Sequence, residues 1–81
     1  MNSNPQKVLA LKLVKHHSLY RIHLDMERTG WTSHALHQTE YDKAYHSITK
    51  DNEWEGMKIA GWRRDNSKLC TMVLTAQIER E

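Results

Sequence analysis

Six histidines, one cysteine, three tryptophans and twelve lysines and arginines hold whatever chemistry this chain can do. His34-x-x-His37 and the adjacent His16-His17 are the pairs close enough to suggest a metal. A zinc site needs further donors in a tetrahedral set. Spacing of three puts both imidazoles on one face of a helix, but on opposite faces of a strand. No cysteine pair and no HExxH motif adds a donor. The histidines therefore read as surface residues, with no metal and no cofactor. Cys70 would need a neighbouring base to become a nucleophile. It falls on the apolar parity of the last strand and reads as a small buried hydrophobe. Arg21, His23 and Glu27 share one strand face and could serve acid–base chemistry at a phosphate. The outer face of any half-exposed strand offers as much, so the expectation is a protein without catalytic residues.

Two binding constellations are more informative. Lys7, Lys12, Lys15 and Arg21 all precede the first acid, Asp25, whereas residues 41–81 balance seven bases with seven acids. If the first two strands pair, Lys12, Arg21 and His23 project from one side. Arg28 then lies by the next turn and His34 on the third strand. Such a basic sheet face can neutralise phosphates, which makes a nucleic acid the alternative partner. The second constellation is Trp54, Trp62, Arg63 and Arg64. Trp and Arg are enriched where proteins bind proteins, and this group is the expected protein-binding surface.

Composition sets the frame for both. The 81 residues make one domain. Mean hydropathy is −0.81, yet eight Leu, four Ile, three Val and four Met can line one face. Net charge is only +2 and there is no low-complexity tract, which argues against disorder. Phe is missing, so Trp and Tyr supply the large core groups, several of them half exposed. A single cysteine excludes an internal disulfide and fits a reducing compartment. Residues 1–6 are polar, form a flexible tail and are no signal peptide. No apolar run is long enough to span a bilayer. The chain reads as a complete, soluble, cytoplasmic gene product.

The elements follow from periodicity. Val8 to Val14 reads as a strand with Leu9, Leu11 and Leu13 on one face. Asn4 and Pro5 would instead start a helix there. Tyr20, Ile22, Leu24 and Met26 alternate with Arg21, His23, Asp25 and Glu27, a half-buried strand. Lys15 to Ser18 makes the loop between the two. Thr29-Gly30 marks a turn, and Trp31 to Gln38 a third strand. A helix runs from Glu40 to about Lys50, capped by Thr39, with Tyr41, Ala44, Tyr45 and Ile48 as its apolar stripe. Trp54 to Arg63 is a fourth strand, in which Gly56 and Gly61 suggest a bulge or a close backbone approach. Asp65 to Lys68 is the turn, and Leu69 to Glu79 the fifth strand.

The sum is an α+β domain over residues 7–81, with chain order β-β-β-α-β-β and one helix on one sheet face. A single helix leaves part of the sheet bare. Ala10, Val14, Leu36, Trp62 and Val73 are then expected to meet a partner, with a homodimer an ordinary solution. The expected function is a small regulator or inhibitor that occupies a protein partner's surface, of the kind phages and other mobile elements encode. Nucleic-acid binding through the basic face is the alternative.

Overall fold

The computed structural model describes residues 7–68 and 70–80, residues 67 and 68 by backbone alone. The tail at residues 1–6, and with it Asn4 and Pro5, lies outside the described residues. The elements are β1 (Val8–His16), β2 (Leu19–Met26), β3 (Gly30–Leu36), α1 (Gln38–His46), a π-helical turn (Ser47–Asp51), β4 (Glu53–Trp54), β5 (Met57–Lys68) and β6 (Thr71–Ile78). All strands pair antiparallel in one sheet of order β3-β2-β1-β6-β5-β4. The expected succession of strands, helix and strands is present, with one strand more than expected. At 62% strand the molecule is sheet-dominated, and the α+β class describes it only broadly.

The turns are where structure and sequence expectation part. His16 pairs with Leu19, so only His17 and Ser18 turn, with His17 at φ +56°. Lys15 continues the ladder opposite Tyr20 instead of joining a loop. Glu55 and Gly56 both have positive φ, +50° and +78°. Two such residues make the tight hairpin turn whose twist matches that of its strands. That turn cuts the expected strand at residues 54–63 into β4 and β5, so Gly56 is a turn residue and no bulge. Gly61 does sit at a register shift. Asp65 and Asn66, expected in a turn, lie within β5, where a second shift between Asp65 and Lys68 absorbs them. The turn comes later. Leu69 lies outside the described residues, and Cys70 follows it at φ +64°, exposed. Standing in the turn, Cys70 does not share the core face of β6, which corrects its reading as a buried hydrophobe.

The helix starts earlier than Thr39 would allow. His37 is its cap, and its N–H donates to Glu40 Oε1 at 2.8 Å. Helix α1 passes into the π-helical turn, which Asn52 ends in the left-handed region at φ +54°. Asn52 O then accepts the N–H of Ile59 at 2.8 Å, tying the helical end to β5. Tyr41 and Ile48 are buried against Leu11, Leu13, Ile22, Ile59, Leu74 and Ala76. Register puts these sheet residues together: Leu11 pairs with Leu24 and Ala76, Leu13 with Ile22 and Leu74. Each buried aliphatic side chain contributes about 1.5–3 kcal/mol before the entropy of ordering it is subtracted. The sheet curls round the helix, so that Leu36 in β3 and Trp54 in β4 line one cavity of about 350 Å3. Among the described residues, no helix is long and apolar enough to cross a membrane.

Tyr41 is the one compromised member of this core. Its hydroxyl is buried and has no hydrogen-bond partner among the described residues. Burial, with Tyr45, Asp42 and Tyr20 nearby, pushes its pKa up to about 12. A buried unpaired hydroxyl costs free energy that a ring without it would not. Tyr41→Phe should leave the urea unfolding midpoint unchanged or raise stability by up to about 1 kcal/mol. Tyr41→Ala should cost about 3 kcal/mol or more. A clear loss with Phe would show that the hydroxyl is satisfied in solution.

Candidate functional site

Alternation in a strand sends every second side chain away from the helix. On that far side the pairing aligns residues across the sheet. Ser33 pairs with His23, His23 with Lys12, Lys12 with Thr75 and Thr75 with Arg63. Strands lie about 4.8 Å apart, so this row of five spans roughly 19 Å. Beside it run Ala35, Arg21, Val14, Val73 and Asp65, paired in the same way. Among the described residues no element packs on this face. It is polar and basic at its centre, with Val14 and Val73 half-buried between the charges.

Three of the residues expected in a basic face are therefore brought together. Lys12 and His23 are direct partners, and Arg21 is next to them on β2. Arg21 Nε donates to Ser33 Oγ at 2.9 Å, which holds the guanidinium along the sheet. Lys12 Nζ lies 4.8 Å from the centre of the Trp31 ring, a cation–π contact. Neither base is held by a carboxylate among the described residues. Arg28 is in the turn between β2 and β3, exposed, at φ +82°. His34 is on β3 but pairs with Ile22, so it belongs to the helix side, where its Nε2 lies 3.0 Å from Thr32 Oγ1.

The Trp and Arg group divides between surfaces. Trp62 pairs with Ala76 and lies on the helix side, 37% exposed. Arg64 is on the same side and donates to the hydroxyl of Tyr45. Arg63 points the other way and joins the basic row. Trp54 is half-buried against the core from β4. Of the residues expected to meet a partner, Val14 and Val73 lie half-buried on the uncovered face and Leu36 and Trp62 on the helix side, whereas Ala10, though on the uncovered face by register, is only 3% exposed and cannot meet one. His34 and His37 are split between β3 and the helix cap. Among the described residues no three His, Cys, Asp or Glu side chains gather as a metal site would require.

No protein family, no curated protein and no solved structure matches this chain. The site therefore rests on its own geometry. Two of its members escape sequence reasoning. Arg63 joins the Trp62 surface in a reading by residue type, because the register shift at Gly61 reverses strand parity between Ile59 and Trp62. Trp31 carries a signal, since it shares parity with Ser33 and Ala35, but only the pairing of β3 with β2 brings it near Lys12.

The electrostatics of the row show in His23. Partial burial, then the charges of Arg21 and Lys12 and the neighbouring His34, hold its pKa below 6.5. The folded protein thus resists protonating it. As pH falls below 6.5, the unfolded chain binds this proton more readily, and stability declines until the lowered folded value is passed. His23→Gln should reduce the loss of urea midpoint between about pH 7.5 and pH 5. An unchanged loss would remove His23 from the account.

Proposed function

We propose that this protein is a non-enzymatic binding module whose uncovered sheet face docks on the backbone of a nucleic acid. The observation that supports the reading is the convergence of Lys12, Arg21 and Arg63 on one bare face. Asp25 and Asp65 share that face, but among the described residues no carboxylate lies within ion-pair distance of the three. Phosphates would replace the water around these cations and release counterions. His23, at the centre of the row, would then gain a proton more easily, because the phosphates offset its cationic neighbours. Arg28 stands at the rim and would add charge. His34 faces the helix side, so its contribution to this surface would be small. A lone free cysteine fits a reducing, cytoplasmic setting.

The test is a mobility shift with duplex DNA, single-stranded DNA and RNA. Three phosphate contacts on a single strand predict a loss of about 10- to 20-fold in affinity between about 50 and 200 mM salt. Lys12→Glu combined with Arg21→Glu should abolish the shift for every sequence alike, with circular dichroism unchanged. No shift of any probe at low salt would overturn the reading.

A second reading is a regulator or inhibitor that binds a protein partner, favoured by Trp62. This large apolar ring is exposed on the helix side, with Arg64 anchored to Tyr45 one residue beyond Arg63. Trp54 would brace that surface from the core rather than touch the partner. Trp62→Ala with Arg64→Ala should remove affinity capture of such a partner and leave nucleic-acid binding intact. Capture that survives the double change would refute this surface.

A further inference from the structure

The sheet has two edges, and they are built differently. Among the described residues, β5 is paired on its outer side only by the two residues of β4. The rest of that edge carries register shifts at Ile59/Gly61 and Asp65/Lys68, together with Arg63, Arg64 and Asp65. Bulges and charges are how a sheet edge is kept from pairing with another chain. β3 forms the opposite edge. Its seven residues include no Pro, Lys, Arg, Asp or Glu. Its ladder with β2 runs from Tyr20↔Leu36 to Met26↔Gly30 without a shift. Among the described residues nothing pairs with the outer N–H and C=O groups of β3, which form a regular, uncharged row.

We propose that β3 pairs antiparallel with β3 of a second copy of this chain, about a two-fold axis through Ser33. The strand matches itself in shape. That axis places Trp31 opposite the partner's Ala35, and Ala35 opposite the partner's Trp31. Trp31 is 49% exposed, and the amine of Lys12, which comes from two strands inward, lies 4.8 Å from its ring centre. About half of the ring's surface is free to meet a partner, and a methyl group in the facing position leaves room for it. On the other sheet face, Thr32 meets the partner's His34. The match extends to charge. Antiparallel pairing carries Arg28, in the turn before β3, towards the partner's Glu40, in the first helical turn after β3. The seam itself brings no like charges together. Isologous pairing of this kind closes after two copies.

The two uncovered faces become one continuous surface. His23 of one copy lies three strand spacings from the partner's His23, roughly 14 Å. The pairing does not depend on the nucleic-acid reading, and it is tested on the protein alone, so either can fail without the other.

Sedimentation equilibrium should give twice the 9.6 kDa chain mass at micromolar concentrations. Trp31→Ala combined with Ser33→Glu removes the aromatic and sets like charges across the axis. It should weaken self-association at least about tenfold, with an unchanged circular dichroism spectrum. Arg21 beside residue 33 gives that carboxylate a partner within each copy, which protects the fold. In a Cys70→Ser background, Ser33→Cys should oxidise to a disulfide-linked dimer and Ala35→Cys should not. A monomer at about 100 µM would overturn the proposal. So would a dimer that survives the double substitution, or one that cross-links at residue 35 and not at residue 33.

Discussion

Tyr41 and Ile48, pressed on Leu11, Leu13, Ile22 and Leu74, form the contact on which the rest of this molecule depends. Among the described residues one helix, with its π-helical end, covers six strands. Everything apolar enough to need cover must therefore gather on one sheet face. The alternation of the strands makes this possible, because a period of two sorts neighbouring residues onto opposite sides. The consequence is a second face with nothing packed on it among the described residues. That face stays in water because Lys12, Arg21, His23, Thr75 and Arg63 occupy it. Fold and candidate site are thus two outcomes of one sorting.

The same constraint explains the local electrostatics. A face in contact with solvent can keep cations side by side, screened by water and salt. His23 resists protonation first because it is partly buried and then because Arg21 and Lys12 stand beside it. Arg21 and Lys12 are held by neutral groups, the Ser33 hydroxyl and the Trp31 ring. Their charge is positioned without a direct ion pair among the described residues, although Asp25 and Asp65 lie on the same face.

Much of this is legible in the sequence. The alternation over residues 20–27 marks β2, and pairing it with the Leu9–Leu13 run places Lys12, Arg21 and His23 together by periodicity alone. The stripe Tyr41, Ala44, Tyr45 and Ile48 marks the helix and its buried side. What escapes are features set by backbone geometry. A positive φ at Glu55 leaves no strong trace in residue type, so the split between β4 and β5 is invisible. A turn through Cys70 competes with one through Asp65–Lys68, and turn residues alone favour the wrong site. Gly61 signals a bulge but not the bulge's effect on parity, so residue type groups Arg63 with Trp62. The histidine cap of the helix is hidden by the better capping residue Thr39 two positions later.

The central proposal is that the uncovered face is the surface that meets a nucleic acid. An amide chemical-shift map of the protein titrated with a single-stranded oligonucleotide at low salt tests it most directly. The account predicts shifts concentrated at Lys12, Arg21, His23 and Arg63, with Tyr41, Tyr45 and Arg64 unmoved. Shifts centred on the helix side, or none on the bare face, would contradict it.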